Sequence, residues 1–418
     1  MYTIALYIYA IGALIASIFN KKIRKIVAGI PQTFAILRAN IHPGDRVVWF
    51  HAASLGEFEQ GRPLMERLRR THPEYKILLT FFSPSGYEVR KNYEGADVIC
   101  YMPFDTPGNV ASFLRLAHPE IAIFIKYEFW TNYLTAMRRK RIKVYSVSSI
   151  FRPGQHFFQW WSSTKALRCF ERLFVQNETS RQLLEEHGIR NVTIVGDTRF
   201  DRVLDIRNEA KDLPLVEVFK NSQNTFIAGS SWQPDEEIYI PYFAQHTDWK
   251  LIIAPHVIGE SHLSQLRDML SSRKVAYYTE MEEKLNNSKT AEQRAMVEKE
   301  LKEAEVLIIN CFGKLSSIYR YGEVALVGGG FGVGIHNVPE AAVYGIPVMF
   351  GPNNKKFREA QHLLKCGGSF EFNSAESFAS LMDRFISDKG FMINAGKKAG
   401  EYISSNAGAA DKCFNAIF

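Results

Sequence analysis

Short apolar runs alternate with amphipathic stretches along most of the chain. From Arg46 onward, runs such as Val47–Phe50 and Ile121–Phe129 are each followed by a stretch with helical spacing, such as Phe58–Arg70. Short apolar runs bounded by turn residues are typical of strands buried on both faces, and their alternation with helices indicates βαβ units around a parallel sheet. The pattern therefore predicts an α/β fold.

The alternation is interrupted by a polar, charged segment at 205–224 that contains Pro214, and it resumes at Thr225–Ala228. A chain of 418 residues also exceeds what one hydrophobic core usually holds. We expect two doubly wound, Rossmann-like domains with a central cleft, at 21–204 and 225–418, joined by 205–224 as the linker. The last helix of the chain is a candidate to pack back on the first domain. Open sheets of this kind bind ligands at the carboxyl ends of their strands.

Residues 1–20 form a separate apolar segment without a charged side chain, and it is followed at once by Lys21, Lys22, Arg24 and Lys25. At about 1.5 Å per residue, a helix of this length matches a hydrocarbon core of about 30 Å. The cations on its C-terminal side favour a cytoplasmic location for the body of the protein. A signal peptide would carry its cations before the apolar run. We expect a membrane anchor, spanning or interfacial, rather than a buried helix of the first domain.

The net charge and the cysteine content exclude few classes of binding partner. The net charge of +7 suits an anionic partner such as phosphate, acidic lipid or nucleic acid, without choosing among them. The five cysteines are scattered and form no CxxC pair, which argues against a zinc site or a disulfide framework.

The segment His51–Gln60 is the first candidate site. Ser54, Gly56 and Glu57 fall in the turn between a predicted strand and a predicted helix. A glutamate at that place is suited to deprotonating an acceptor hydroxyl. A glutamate that only compensates the helix dipole fits the same pattern. Glu59 is the competing carboxylate, although its place inside the helix aims it less well.

The segment Ile125–Trp130 is the second candidate. Glu128 ends an almost continuous apolar run. Burying a carboxylate costs several kcal/mol unless it is paired, so Glu128 either orients a ligand or forms a buried ion pair with Lys126 or an arginine.

The glycine-rich segment Val324–Pro352 is the most specific motif. An apolar strand runs into glycines at 328–330, and a helix is predicted from Val338 to Tyr344, with Glu340 in its first turn. Glycines allow backbone N–H groups to approach a phosphate, and a helix N-terminus favours an anion. The segment is neither a Walker loop, because no GKS or GKT follows, nor the standard dinucleotide fingerprint, because it lies late in the chain. A purely structural glycine turn is the alternative.

Weaker candidates lie at other strand ends. They are Ser230 and Ser231 in GSSW, His256 after Pro255, Arg199 in GDTRFD and Arg152 in SSIFRP. A structural role fits each of them equally well. The aromatic stretch Phe151–Trp161 suits either acceptor selection or the core.

In order and spacing, these motifs resemble the 3-deoxy-D-manno-oct-2-ulosonic acid (Kdo) transferases of Gram-negative bacteria, which are GT-B glycosyltransferases. The resemblance covers nearly the whole chain. The segments that carry it are HAASLGE, LLTFFSPSGYE, MPFDTPGNVASFL, KYEFWTN, FVQNETS, GDTRFD, AGSSW and GGGFGVGIHNVPEAAVYGIPVMFGPNNKKFREA.

The resemblance implies an inverting transfer of Kdo from CMP-Kdo to a lipid A precursor, lipid IVA, in lipopolysaccharide core biosynthesis at the cytoplasmic face of the inner membrane. It implies no metal ion, no other cofactor and no nucleic acid partner. Glu57 maps to the general base and Glu128 to an essential site residue. The CMP pocket maps to Gly329, Gly330, His336, Asn337 and Glu340, with Ser230, Ser231 and His256 nearby. The expected substrate-side residues are Ser54, Gly56, Arg152 and Arg199.

Three positions depart from the family pattern. Lys126 stands where the family often has a glutamate, His256 where an arginine often follows the proline, and Arg199 where a lysine is common. Two other functions fit parts of the sequence. A GT-B-fold UDP-sugar epimerase would share the fold, but the anchor and Glu57 argue against it. A non-catalytic, membrane-tethered lipid-binding protein would need only the basic surface.

Overall fold

The computed structural model of the chain describes residues 2–155, 158, 164–332 and 334–418. The chain divides into two compact units. Unit 1 comprises Met1–Arg202 and Asn406–Phe418, and unit 2 comprises Val203–Ser405.

Unit 1 is built on a seven-stranded parallel sheet. Its strands are β1 (Arg46–Ala52), β2 (Tyr75–Phe81), β3 (Val98–Tyr101), β4 (Ile121–Ile125), β5 (Lys143–Ser149), β6 (Arg172–Val175) and β7 (Val192–Ile194). Its helices are α1 (Tyr2–Phe19), α2 (Lys21–Asn40), α3 (Leu55–Thr71), α4 (Pro84–Arg90), α5 (Pro107–Ala117), α6 (Thr131–Arg139), α7 (Glu178–Glu186), the start of α8 (Thr198–Asn208) and, from the end of the chain, α19 (Ala409–Ile417).

Unit 2 is built on a second seven-stranded parallel sheet. Its strands are β8 (Thr225–Ser231), β9 (Lys250–Pro255), β10 (Val275–Tyr277), β11 (Val306–Ile308), β12 (Val324–Val327), β13 (Val348–Phe350) and β14 (Ser369–Glu371). Its helices after α8 are α9 (Pro214–Lys220), α10 (Gln233–Gln245), α11 (Glu260–Met269), α12 (Tyr278–Asn287), α13 (Ala291–Glu303), α14 (Leu315–Ile318), α15 (Val338–Ala342), α16 (Arg358–Cys366), α17 (Ala375–Ser387) and α18 (Lys389–Asn406).

Both sheets are doubly wound, which confirms the predicted fold class. The strand order is β3-β2-β1-β4-β5-β6-β7 in unit 1 and β10-β11-β9-β8-β12-β13-β14 in unit 2. In each sheet, successive strands are added first on one side and then on the other. This direction reverses between β1 and β4 in unit 1 and between β8 and β12 in unit 2. At such a switch point the loops after the two strands diverge and leave a crevice at their carboxyl ends. Glu57 follows β1, Glu128 follows β4, and the glycine turn at 328–330 follows β12.

The predicted linker at 205–224 is corrected by the structure. The division between the units falls inside α8, and the segment contains α9, whose Leu215, Val216 and Phe219 are buried. Polar composition suggested an open connection because the apolar residues of α9 are few and lie on one face. The last helix, α19, lies in unit 1, where Cys413 joins the core.

The N-terminal segment forms two helices. Tyr2–Phe19 is long and apolar enough to cross a membrane, with a mean hydropathy of 1.9, and only 6% of it is buried, so the alternative of a buried core helix is wrong. Asn20 caps the next helix by accepting from the backbone N–H of Lys22. That helix, α2, was not predicted; its Leu37 lies in the core of unit 1.

Candidate functional site

Glu57 lies in the first turn of α3, directly after β1 at the switch point of unit 1. Its carboxylate is half-buried and accepts a hydrogen bond from the Ser54 hydroxyl. Ser54 occupies the N-cap position but its side chain makes no capping bond to the helix backbone. The serine therefore orients Glu57 rather than the helix. Gly56, between them, is exposed.

The competing carboxylate, Glu59, is held in an ion-pair cluster. Its oxygens accept from Arg90 Nη2 at 2.7 Å and from Arg202 Nε at 3.1 Å, and Arg62 Nη1 lies 3.9 Å away. Because guanidinium groups surround this carboxylate, it is less available than Glu57 to contact an acceptor hydroxyl. This favours Glu57 as the general base.

Glu128 lies outside β4, contrary to the predicted strand over Ile121–Phe129. The strand ends at Ile125 because Lys126 adopts a left-handed backbone with φ of 61°, a conformation that interrupts an extended chain. Glu128 accepts from Trp130 Nε1 at 2.7 Å and faces His51 Nε2 at 3.3 Å. The rings of Trp130 and His51 are therefore partners of this mostly buried carboxylate.

A buried chain of hydrogen bonds fixes the His51 ring. Trp49 Nε1 donates to the Thr80 hydroxyl at 2.8 Å, and that hydroxyl lies 2.8 Å from His51 Nδ1. Because a carboxylate group accepts rather than donates, His51 Nε2 is the donor in its bond to Glu128. The arrangement holds Glu128 at the same sheet edge as Glu57.

Arg199 is fixed by a buried aspartate at the N-terminus of α8. Asp197 accepts from Arg199 Nε at 2.9 Å and from Gln60 Nε2 at 2.8 Å. Burial alone would raise the pKa of the Asp197 carboxyl, but the Arg199 guanidinium and these hydrogen bonds hold that pKa below its usual range. The half-exposed Arg199 side chain therefore carries its charge in a defined place.

Tyr127 lies near several of the predicted site residues, although it was not itself predicted to belong to the site. Burial raises the pKa of its phenol, and Glu57 and Asp197 raise it further, while Arg152 and Arg199 lower it. All four charges therefore lie within electrostatic range of one side chain. Arg152 itself is exposed. Of the aromatic stretch Phe151–Trp161, residues 156, 157 and 159–161 lie outside the described part of the chain, whereas Phe151 is in the core.

The Asp105 side chain binds the N-terminus of α6, the helix that follows the loop of Glu128. Its carboxylate accepts from the Tyr2 hydroxyl at 2.7 Å and from the backbone N–H groups of Asn132 at 2.9 Å and Tyr133 at 2.8 Å. Burial raises the pKa of Asp105 to about 6, although these bonds lower it. The contact joins α1 to the loop that carries Glu128.

This raised pKa predicts a pH dependence of stability. Between about pH 4, the usual aspartate value, and about pH 6, the unfolded chain loses the Asp105 proton before the folded one does. The free energy of unfolding should therefore fall as pH rises through that window, and Asp105→Asn should flatten this part of the profile. Urea unfolding followed by tryptophan fluorescence measures both. Identical profiles for the two proteins would contradict the assignment.

In unit 2, the glycine turn after β12 is tightly packed. Gly329 has a left-handed φ of 92°, and a Cβ on Gly330 would lie 2.6 Å from the Gly351 backbone. The buried Asp235 accepts from Gly329 N–H and from Trp232 N–H, both at 2.9 Å. The carboxylate thereby ties the turns after β8 and β12 together across the switch point.

The two serines after β8 differ in their surroundings. Ser230 has a left-handed φ of 52° and is half-exposed. Ser231 is buried and donates to Glu236 at 2.8 Å, with His262 Nε2 at 3.2 Å from the same carboxylate. Ser230 thus borders the crevice, whereas Ser231 belongs to the support behind it.

Three aromatic rings line the unit 2 crevice. His256 stacks on Trp232 with centroids 4.5 Å apart and on His336 with centroids 4.4 Å apart. Trp232 Nε1 donates to His336 Nε2 at 3.0 Å. Burial, with a smaller contribution from His256, lowers the pKa of His336. Trp232 was not named as a site residue because a tryptophan in the sequence is more often core.

Asn337 and Glu340 complete this half of the site. Asn337 Nδ2 donates to Glu340 Oε1 at 2.6 Å. The helix that follows, α15, ends at Ala342 rather than at the predicted Tyr344. So short a helix contributes little dipole, so the backbone N–H groups of the glycine turn are the better candidates to bind an anion.

Within the described ranges, no group of three or more His, Cys, Asp or Glu side chains is arranged to hold a metal ion.

Comparisons with known proteins show which proteins the chain resembles. Residues 28–202 match the family model described as 3-deoxy-D-manno-octulosonic-acid transferase (Kdo transferase). A protein of that name from Aquifex aeolicus is 26% identical over 349 residues, covering 82% of this chain and 86% of the relative. One from Haemophilus influenzae is 22% identical over 392 residues, covering 90% and 87%. The chain is therefore similar to Kdo transferases over most of its length.

Solved structures of other proteins have the same fold as this chain. The UDP-GlcNAc 2-epimerase from Neisseria meningitidis bound to UDP-GlcNAc superposes with a TM-score of 0.60 at 13% identity, covering 88% of this chain and 98% of the epimerase. MurG from Acinetobacter baumannii gives 0.54 at 10% identity, covering 89% and 99%. The chain has the two-domain α/β glycosyltransferase fold, GT-B.

The family model and the relatives cover different parts of the site. Glu57, Glu128, Arg152 and Arg199 fall within 28–202, the range of the Kdo transferase model. The glycine turn lies beyond that range and is reached by the longer alignments with whole Kdo transferases.

Proposed function

We propose that the protein transfers Kdo from CMP-Kdo to a lipid A precursor such as lipid IVA, with inversion at the Kdo anomeric carbon, in lipopolysaccharide core biosynthesis. The observation that carries this proposal is that a chain similar to the Kdo transferases places a serine-oriented glutamate, Glu57, at the switch point of unit 1. The protein is accordingly an enzyme, a glycosyltransferase that transfers Kdo.

In unit 1, Glu57 takes the proton from the acceptor hydroxyl as that oxygen forms its bond to the Kdo anomeric carbon. The bond from this carbon to the CMP phosphate oxygen breaks, and CMP leaves with the bonding electrons. Glu128, held by His51 and Trp130, orders the acceptor or the sugar beside Glu57. Arg199 supplies a fixed positive charge for an anionic group of either substrate.

In unit 2, the backbone N–H of Gly330 and the imidazoles of His256 and His336 face the phosphate of CMP. Glu340 accepts hydrogen bonds from the two ribose hydroxyls. Ser230 adds a hydroxyl at the rim of the crevice. These groups stabilise the negative charge that develops on the departing CMP.

Nucleotide selectivity tests the donor assignment. We expect CMP to raise the melting temperature of the protein and UDP to leave it nearly unchanged. The UDP-sugar epimerase alternative makes the opposite prediction, so stabilisation by UDP but not by CMP would overturn the proposal. Thermal unfolding of the full chain at matched nucleotide concentrations provides the comparison.

Glu340→Ala should weaken CMP binding about 100-fold, because it removes two hydrogen bonds to a charged group, each of which contributes about 1.5 kcal/mol. Glu401→Ala, which removes an exposed glutamate of α18 in the same unit, is the matched control and should bind CMP normally. Calorimetric titration measures both affinities. Equal affinities for the two variants would remove Glu340 from the nucleotide site.

We propose that transfer requires no metal ion, because the Arg199 guanidinium and the backbone of the glycine turn can stabilise negative charge without one. Activity should be unchanged after treatment with EDTA. A loss of activity that Mg²⁺ restores would contradict this part of the proposal.

The proposed location is the cytoplasmic face of the inner membrane, with α1 as the anchor. Ala13 is the only buried residue of α1 in the described part of the chain, and most of the large apolar side chains of this helix are exposed. Cations at Lys21, Lys22, Arg24 and Lys25 follow it directly. An apolar helix with such a flank is suited to a bilayer, whose lipid acceptor the site must reach.

A further inference from the structure

The bond between Trp232 and His336 restricts the protonation of one imidazole. An indole N–H is a donor only, so His336 Nε2, at 3.0 Å from Trp232 Nε1, must be the acceptor. A neutral imidazole that accepts at Nε2 carries its proton at Nδ1. Burial and His256 lower the pKa of His336, so the ring is neutral at neutral pH.

A shared frame holds the two rings in register. Asp235 accepts from the backbone N–H of both Trp232 and Gly329, at 2.9 Å in each case. The turn that carries His336 closes on the same frame, because His336 N–H donates to the Gly328 carbonyl at 3.1 Å. The Trp232 and His336 rings are nearly parallel, at 5°. Backbone hydrogen bonds of the two turns therefore hold the Trp232 and His336 rings where their side chains meet.

The other nitrogen of His336 is available to a ligand. Among the described residues, Nδ1 of this half-buried ring has no hydrogen-bond partner. The ring lies against the glycine turn, with its Cδ2 3.2 Å from where a Cβ on Gly329 would be. An N–H at that place faces the same crevice as the backbone donors of the turn.

We propose that Trp232 is a positioning residue that fixes His336 as the Nδ1–H tautomer, so that the imidazole donates a hydrogen bond to an anionic oxygen of the sugar nucleotide. The identity of this ligand rests on the proposed function, whereas the tautomer does not. A neutral donor orients the nucleotide without adding a full charge that would hold the CMP product. Trp232 therefore acts through His336 and touches no reacting atom.

Nitrogen-15 spectra of the ligand-free protein, labelled on histidine, test the tautomer directly. Wild type should show His336 protonated at Nδ1 at neutral pH. Trp232→Phe keeps an aromatic ring but removes the donor, so we expect a shift toward the Nε2–H form that free imidazoles favour. His336→Gln assigns the signal.

Trp249→Phe is the matched control, because Trp249 is a core tryptophan of the same unit, remote from the rings in the crevice. It should change stability but neither the tautomer nor CMP binding. We expect Trp232→Phe to weaken CMP binding about tenfold, the equivalent of about 1.4 kcal/mol.

Two results would overturn the inference: a wild-type His336 already protonated at Nε2, or a tautomer unchanged by Trp232→Phe. If the tautomer shifts as expected but neither the wild type nor Trp232→Phe binds CMP, the inference about Trp232 holds. The assignment of CMP-Kdo as the donor substrate then fails. A shift of tautomer with unchanged CMP affinity would show that His336 Nδ1 does not contact the nucleotide, and would overturn the ligand part.

Discussion

We expect Glu57→Gln to lower the rate of Kdo transfer by about 10²- to 10⁴-fold, the usual contribution of a general base, while the affinity for CMP stays nearly unchanged. Glutamine keeps the shape of the side chain and can still accept from the Ser54 hydroxyl, so the turn before α3 should persist. What it lacks is the ability to take a proton from the acceptor hydroxyl. Initial rates at saturating CMP-Kdo, together with calorimetric titration with CMP, separate these two effects.

Glu59→Gln is the matched control for this experiment. It makes the same chemical change two residues away, on a carboxylate engaged by Arg90 and Arg202. We expect a lower stability, because two buried or half-buried guanidinium groups lose a charged partner, but transfer close to the wild-type rate. If Glu57→Gln loses CMP binding together with activity, Glu57 belongs to donor binding or to structure. If Glu59→Gln is the inactive variant, the base has been assigned to the wrong carboxylate.

The second large effect is expected at the N-terminal helix. Ile8→Lys combined with Ile15→Lys should release the protein from membranes, because Ile8 and Ile15 are exposed on α1. A lysine near the centre of a spanning helix costs about 3 kcal/mol, so two of them weaken insertion by several powers of ten. Sedimentation with vesicles that contain anionic lipid measures the bound fraction.

Ile393→Lys provides the control for the anchor. Ile393 is 67% exposed, about as much as Ile8 at 66%, but it lies on α18 of unit 2. This variant should sediment with vesicles like the wild type. Equal binding by the Ile8/Ile15 variant and the wild type would instead place the membrane contact elsewhere and leave α1 without this role.

The sheets of both units could be predicted from the sequence because their strands are buried on both faces. Residues such as Val48 and Ile227 belong to continuous apolar runs. The alternation of these runs with helical stretches is enough to identify them as strands. The position of Glu57 followed from the same logic, since a residue between a strand and a helix lies at the edge of the sheet. The glycine turn was predictable for a different reason, because few side chains fit where Gly329 and Gly330 lie.

The partners of the site residues could not be predicted, because they come from distant parts of the chain. Glu128 pairs with His51, and His336 pairs with Trp232, across 77 and 104 positions respectively. No periodicity records such contacts. The end of β4 was missed because the left-handed conformation of Lys126 depends on tertiary packing rather than on the local apolar pattern.

The helix α9 was missed for the opposite reason. Its apolar residues Leu215, Val216 and Phe219 are too few to stand out against charged neighbours, although all three are buried against unit 2. A short amphipathic helix in a polar segment resembles a linker until its packing surface is known.

The most direct test of the central claim is the reaction itself. The full-length protein is incubated with CMP-Kdo and a tetraacylated lipid A precursor, and the lipid products are read by mass spectrometry, with Glu57→Gln as the inactive control. Our account predicts a lipid that gains one or more Kdo residues as CMP is released. An unchanged lipid precursor, with CMP-Kdo left intact or hydrolysed to free Kdo, would contradict it.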